Sequence, residues 1–558
     1  MPQYKVPGVY IVENDAFPNS VVEVETAVPA FIGYTEIALN GKDSLLNVPW
    51  RIESMADYQT YFGNPPAPAF SFASAGAAGG TGYTLAAAAS GQFLLYYSLR
   101  IYFDNGGGPC YIVSVGAYTT TTRAASDFQP ALDALTRESE PTMLVAPDAV
   151  NLSDASKLPP LFLAHCETMK SRVAIFDIPG GDAKRGQDKA DQITAFRTSV
   201  GTDSLNYGAA YYPWLNTQIV DSVDFTAIST DTLDAFISAL TADANTRLTG
   251  DANKTKLAAL TLKIKQLKSP ATPVADSGGN TPTPPSPPPA PPAPPAPPAP
   301  PAPPVDGNGG QGTPTPTPAP PAPPVPVPAP PPAATATPAQ IKALHQVLYT
   351  SSPLYAQVMG DIQTKLNLLP PSGAIAGIYG RIDSTQGVFK APANTSINSV
   401  VGPTVNLSDL DQEDLNMPLE GKAVNAIRAF PGRGTIVWGA RTLDGNSDDW
   451  RYINVRRTLI MFEQSIKVAM QPYVFAPNTS TTWVTVQSMI ENFLTNQWKA
   501  GALAGAKASD AFSVSIGLNV TMTGEDINAG LMKVLILVAP VRPAEFIELT
   551  FQQQMQVS

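Results

Sequence analysis

Histidine and cysteine are nearly missing from this chain: each occurs twice in 558 residues. Cys110 and Cys166 are too few for a disulfide framework and fit a reducing compartment. Histidine is the commonest general base and metal ligand near neutral pH. With only His165 and His345, a hydrolase or metalloenzyme is disfavoured. Basic charge is short as well. Lys and Arg total 35 against 46 Asp and Glu, a net charge of −11, whereas a nucleic-acid-binding surface needs clustered cations. Apolar runs such as "VLILVAPV" fall far below the roughly 18–20 residues that span a bilayer. The opening "MPQYKVPG" has no apolar h-region, so no secretory signal is expected. These shortages describe a soluble protein folded in a cytoplasm.

Proline is plentiful instead, and unevenly placed. Residues 269–338 hold more than half of the 58 prolines, in runs such as "PPAPPAPPAPPAPPAPP" broken by "DGNGGQG". Lacking large apolar side chains, this stretch cannot bury a core and reads as a disordered, polyproline II-like insert. It is a linker or surface loop, or a ligand for a proline-recognising domain. Upstream, "DFQPALDALTRES", "LPPLFLAHCETMK" and "DKADQITAFRTSVG" have helical patterns that alternate with the strand patterns "TMLVAPDA", "RVAIFDIPG" and "YGAAYYPWL". That alternation predicts an α/β layer over a buried sheet. Residues 222–268 read as helical, and "TPAQIKALHQVLYTSSPLYAQVMGDIQTKLNLLPP" resumes as helix, so the insert interrupts a helical hairpin. Further on, "RGTIVWGARTL" is a strand. A long amphipathic helix follows, with its cap expected at Asp448 or Asp449. A second helix, "TTWVTVQSMIENFLTNQWKAGALAG", and the strands "AFSVSIGLN" and "KVLILVAPV" complete an α+β part.

No catalytic constellation emerges. Gly106-Gly107-Gly108 lead into Pro109 and a strand, without the Lys-Ser/Thr of a phosphate loop or the spacing of a dinucleotide fingerprint; a tight turn is the better reading. "LDGNSDDW" imitates a calcium loop at Asp444, Asn446 and Asp448, but Asp449 and Val455 occupy the positions that need glycine and glutamate. His165, Cys166 and Glu167 have no second cluster that could complete a zinc site, and Cys166 is expected to pack inward. Asp409, Asp411, Glu413 and Asp414 could be imagined as the carboxylates of a glycoside hydrolase, though a solvated acidic loop is the plainer account. No cofactor is implied.

The two ends raise a different question. Val9, Tyr10, Ile11 and Val12 form a short apolar run after Pro7-Gly8. At the other end Phe546 precedes Ile547, Leu549 and Phe551, which alternate with polar residues. The C-terminal stretch has the two-residue period of a strand with one apolar face, and the N-terminal one reads as a strand from its short β-branched run. Strands need neighbours for their backbone groups, so each either completes the chain's own sheet or is donated to another copy.

Taken together, many stretches resemble the tail sheath proteins of contractile phages and contractile injection systems. They run from "YKVPGVYIVE" and "TAVPAFIGYTE" through "YFDNGGGPCYIV" to "PPSGAIAGIYGRIDSTQGVFKAPAN", "LNMPLEGKAVNAIRAFPGRGTIVWGARTL", "WRYINVRRTLIMFEQSI" and "VAPVRPAEFIELTF". Their order covers the chain except the insert. The resemblance implies an α+β multidomain fold, with a C-terminal sheath-core domain completed by N- and C-terminal strand arms and an α/β middle domain facing outward. The expected divisions are an arm at 1–30, a connecting region at 31–109, the outer domain at 110–268, the insert at 269–338, a helical return at 339–384 and the sheath core at 385–558. It further implies a structural subunit, not an enzyme, that stacks in hexameric rings around an inner tube protein. Baseplate and terminator proteins would be its other partners, with neither nucleic acid nor membrane insertion. Assembly in a bacterial cytoplasm, as part of a phage tail or a released injection particle, would follow. Val9–Val12 and Phe546–Phe551 would be strands given to neighbours, swinging on joints at Pro7-Gly8 and Pro540–Pro543. Lys499 and Lys507 are candidate contacts to the tube. An enzyme built on the 409–414 carboxylates, or a proline-rich scaffold or adhesive, is the alternative.

Because the insert cannot supply a core, a chain lacking residues 275–335 should still polymerise. Electron microscopy of that deletion checks this, and a loss of tubes would make the segment structural.

Overall fold

Nine strands form the central sheet: β1 (Pro29–Thr35), β2 (Trp50–Ile52), β3 (Cys110–Ala117), β4 (Met143–Val145), β5 (Val173–Asp177), β6 (Gly208–Tyr212), β7 (Thr395–Ser396), β8 (Asn425–Phe430) and β9 (Gly434–Val437). The computed structural model describes residues 21–74, 82–87, 93–120, 122–186, 191–248, 250–268 and 337–549. The spatial order is β7-β9-β8-β6-β5-β4-β1-β3-β2. The six middle strands are parallel; β9 is antiparallel to β8 and β7 antiparallel to β9 at one edge, and β2 is antiparallel to β3 at the other. Strands β1, β4, β5 and β6 are buried along their whole length, which explains their near-continuous apolar sequences. The alternating helices and strands expected between 129 and 212 are all present.

The division expected at residue 385 falls inside this sheet. Tyr211 and Tyr212 of β6 pair with Asn425 and Ala426 of β8, and the Asn425 side-chain amide donates to the Ala210 and Arg441 carbonyls. Parallel pairing joins distant segments, and neither segment's local pattern records it. Strand β1 also escaped the sequence pattern: "PAFIGYT" lacks alternation because both of its faces are covered.

One close approach organises the apolar layer beside the sheet. Helix Ser372–Gln386 packs on helix Leu95–Asp104 and on β4 and β5. A Cβ at Gly377 would lie 2.4 Å from the Tyr102 carbonyl oxygen, and one at Gly373 would lie 2.4 Å from that of Ser98. The two glycines, four residues apart on one face, let the backbones approach. The same helix begins on Asp177, whose buried carboxylate accepts the Ser372 N–H at 2.8 Å. Burial pushes that carboxyl up to about 7, against the lowering effect of the Ser372 hydrogen bonds.

Two further cores flank the first. Helices Leu233–Arg247, Asp251–Lys268, Pro338–Ser351 and Pro353–Leu366 enclose Leu240, Ile264, Leu348 and Ile362. Here Asp251–Lys268 packs on Pro338–Ser351, so the insert does leave from a helical pair; its residues 269–336 lie outside the described ones. The returning helix is capped reciprocally by Thr337 and Gln340 with Pro338 in its first turn, both strong start signals. The third core joins helix Ile453–Met470 to helix Ser480–Ala500 and to the antiparallel pair Phe512–Ser515 and Leu535–Val538, around Phe462, Ile490 and Phe493. Helix Ile453–Met470 starts at Tyr452, not at the expected aspartates. Asp448 is spent on an ion pair with Arg451 at 2.6 Å.

Two outcomes follow from these contacts. Gly377→Ala should lower the unfolding midpoint by overpacking worth about 1–3 kcal/mol, because the neighbour is backbone and cannot step aside. The helix-propensity gain of about 1 kcal/mol does not offset it; an unchanged midpoint would contradict the close contact. The second outcome concerns pH. Unfolded aspartate titrates near 4, so between about 4 and about 7 the folded chain holds a proton at Asp177 that the unfolded chain has lost. Stability therefore declines as pH rises through that window. Melting curves at pH 5 and pH 8 should show this decline, and Asp177→Asn should reduce it.

Candidate functional site

Of the residues singled out at the ends, Val9, Tyr10, Ile11, Val12 and Phe551 lie outside the described residues. Phe546, Ile547 and Leu549 are within them. They are 71%, 78% and 72% exposed, and residues 541–549 contain no strand. Lys499 closes helix Ser480–Ala500 and Lys507 precedes the short helix Ala508–Ala511; both are exposed. The turn between them is held by the Trp498 indole N–H on the Gly505 carbonyl at 3.0 Å.

The chain at residues 23–26 is anchored where it enters the body. Arg457 and Asp383 form an ion pair with side chains only 4% and 5% exposed, including a bond of 3.0 Å from Nη1 to Oδ1. Arg457 Nη2 also donates to the Thr26 carbonyl at 3.0 Å, and the Thr26 hydroxyl donates to Asp383 at 2.6 Å. The guanidinium lies 4.5 Å from the centre of the Tyr379 ring. Earlier in the segment, the Val24 N–H donates to the Ser465 hydroxyl at 3.0 Å and Gln497 donates to Glu23. Residues 23–26 are thus tied to both long C-terminal helices.

The outgoing C-terminal segment has a matching anchor. Glu545 accepts from Arg441 Nε at 3.0 Å and Nη2 at 2.7 Å, from Asn416 Nδ2 at 2.7 Å and from the Tyr452 hydroxyl at 2.9 Å. Arg441 is 1% exposed, and its Nη1 donates to the Asn416 and Gly445 carbonyls. Burial pushes the Glu545 carboxyl up, but the bonds from Arg441 and Asn416 outweigh this and hold it below its ordinary value. The joint expected at Pro540–Pro543 is tied down. The Val541 N–H donates to the Ala502 carbonyl at 3.2 Å, Pro540 bridges Leu503, and Asn454 Nδ2 donates to the Val541 carbonyl at 3.2 Å. A groove of about 640 Å³, lined by Met417, Arg428 and Trp438, runs beside Pro543–Ile547.

Sequence reasoning missed both anchors. Their only trace was arginine set among apolar residues in "WGARTL" and "WRYINVRR", with carboxylate partners 74 and 104 positions away.

Other surfaces fall into place around these anchors. The strand pair Phe512–Ser515 and Leu535–Val538 has no third strand among the described residues, and Leu535 and Leu537 are half-exposed. An isolated two-stranded sheet is marginal in water. The acidic helix Asp409–Asn416 uses its carboxylates structurally. Asp411 caps Ser408, whose bonds lower its pKa. Asp414 joins Arg185 and Arg197 at 2.5 and 3.2 Å, and Asp409 meets Arg428 at 2.8 Å. Gly106–Gly108 form the turn between helix Leu95–Asp104 and β3. Cys166 is fully buried, and His165 beside it is pushed down to about 4 by burial and then by Arg172. No described helix is long and apolar enough to cross a membrane.

Comparison with known proteins agrees with this layout. Residues 336–443 match the model of the phage tail sheath protein central domain, and residues 446–554 match that of the phage tail sheath C-terminal domain. The tail sheath protein of Vibrio phage KVP40 is 26% identical over 128 residues, 23% of this chain and 19% of that protein. The match thus spans about a fifth of the curated relative. Two solved structures align along nearly the whole length. The PVC sheath complex of an extracellular contractile injection system, in the contracted state, is 25% identical with a TM-score of 0.56, over 99% of both chains. The helical sheath of the anti-feeding prophage, also contracted, is 26% identical with a TM-score of 0.56, over 99% of this chain and 100% of that one. Both sheath domain models are matched in order across residues 336–554, and the fold is shared end to end with the sheaths of contractile injection systems, so the chain carries the central and C-terminal domains of the phage tail sheath family.

Proposed function

We propose that this protein is a structural sheath subunit that polymerises into a helical tube around an inner tube, and that shortening of the sheath drives the inner tube through a target envelope. The observation that carries this reading is the likeness over 99% of the chain to injection-system sheaths in the contracted state. The surface chemistry agrees with it. An exposed apolar stretch at Phe546–Leu549 and an open two-stranded sheet at Phe512–Ser515 and Leu535–Val538 are the donor and acceptor that strand addition between copies requires. The same surface patch need not meet itself in such a contact. A head-to-tail contact of this kind builds a helix instead of closing a dimer.

In this reading Val9–Val12 and Phe546–Phe551 are the donated strands, and the helical core that carries the insert faces outward. The C-terminal helices face the tube, with Lys499 and Lys507 toward it. A likeness to a baseplate structure of the anti-feeding prophage, 27% identical with a TM-score of 0.55, supports a baseplate protein as a partner at the end of the sheath. Contraction needs no nucleotide, because the energy lies in interfaces with two packings. The carboxylates at 409–414 serve as caps and ion-pair partners, which favours a structural role over hydrolysis.

Electron microscopy of the purified full-length protein should show hollow tubes. Removing residues 1–12, or residues 546–558, should leave a folded, soluble monomer by circular dichroism and sedimentation, yet abolish tubes. Leu549→Pro should act in the same direction, since it removes a ladder donor. Truncated chains that unfold, or that still assemble normally, would rule out strand exchange.

A further inference from the structure

The two anchors share one element. Arg441 and Tyr452 hold Glu545, and Arg457 holds Thr26 through Asp383. Tyr452 is the residue on which helix Ile453–Met470 begins, and Arg457 lies in its second turn. They are separated by about 7.5 Å of helix rise. Arg441 and Tyr452 are themselves joined by a backbone bridge, and the Thr442 N–H donates to the Arg451 carbonyl at 2.8 Å. The segment 441–457 is therefore a single hydrogen-bonded block that grips the root of each terminal segment by a buried arginine.

Building on the sheath reading, we infer that Glu545 is a positioning residue that fixes the direction in which the C-terminal arm leaves the body, and that its clamp locks that direction to the N-terminal root. The free part of the arm then starts at Phe546, five residues beyond Val541. Three facts carry this. The bonds on Glu545 come from three residues, Asn416, Arg441 and Tyr452, which constrain translation and rotation together. The stretch before it, 539–541, is already paired to residues 502–511. Beyond Glu545 the chain is exposed at every described position, including the apolar Phe546, Ile547 and Leu549. Rotation between neighbouring subunits must then be taken up by the arm beyond residue 545, while the two roots keep a constant angle within each subunit. A bidentate guanidinium–carboxylate contact suits this role, because its planar fork sets orientation as well as distance.

The test uses the full-length protein and the variant Glu545→Ala. Amide exchange across residues 541–545 should become at least tenfold faster in the unassembled variant, while helix Ile453–Met470 keeps its protection. Tubes of the variant should be lost or should show variable subunit spacing in electron micrographs. Tyr452→Phe, which removes one bond and no charge, gives a milder form of both effects and replaces Glu545→Ala should that chain fail to fold. Unchanged exchange at 541–545, or tubes of normal and uniform spacing, would overturn the clamp. A chain ending after Glu545 is the control for the underlying reading. It keeps the clamp and lacks the arm, so its assembly into tubes would refute strand exchange, whereas its failure alongside normal Glu545→Ala tubes would refute only the clamp.

Discussion

Backbone N–H and C=O groups that leave water must find partners, and the architecture of this chain follows from where each segment finds them. Parallel strands cannot be closed by tight hairpins, so the central sheet collects its strands from residues 29 to 437. The contact between β6 and β8 spans more than two hundred residues. Segments that look like separate domains along the sequence are thereby welded into one layer. The helical core at 233–366 and the C-terminal core at 453–538 pack as satellites around it.

The same requirement acts in reverse at the periphery. Among the described residues, the pair Phe512–Ser515 and Leu535–Val538 has no third strand, an edge that most monomers blunt with charge, proline or a cover. Here the strand carries half-exposed Leu535 and Leu537. A subunit whose stability rests on a large parallel sheet can tolerate such an edge.

Movement in an assembly of this kind depends on which parts stay rigid. Breaking a buried ion pair by removing one partner costs about 3–5 kcal/mol, so the Arg457–Asp383 pair makes the entry of the chain at 23–26 stiff. The exit at 545 is held by hydrogen bonds from three residues, Asn416, Arg441 and Tyr452. Flexibility is thus pushed outward from the proline-rich joint toward the exposed residues after Glu545.

Much of this was legible in the sequence, and the limits are physical. Alternating helix and strand patterns between 129 and 212 gave the α/β layer, because local periodicity follows the face that each element buries. The proline content of 269–338 marked an insert that cannot form a core, and the pattern that resumes at "TPAQIKALHQVL" marked the helix that follows it. The apolar alternation at Ile547 and Leu549 predicts a strand, and residues 541–549 form none within the single chain. What tertiary structure decided was pairing at a distance. That β8 joins β6, that Glu545 meets Arg441 and that Thr26 meets Arg457 are matters of three-dimensional proximity between residues 104 to 431 positions apart. A carboxylate in "RPAEF" and an arginine in "WGARTL" have no periodicity and no local spacing in common. Only the folded chain, by excluding water from around Arg441, makes their meeting obligatory.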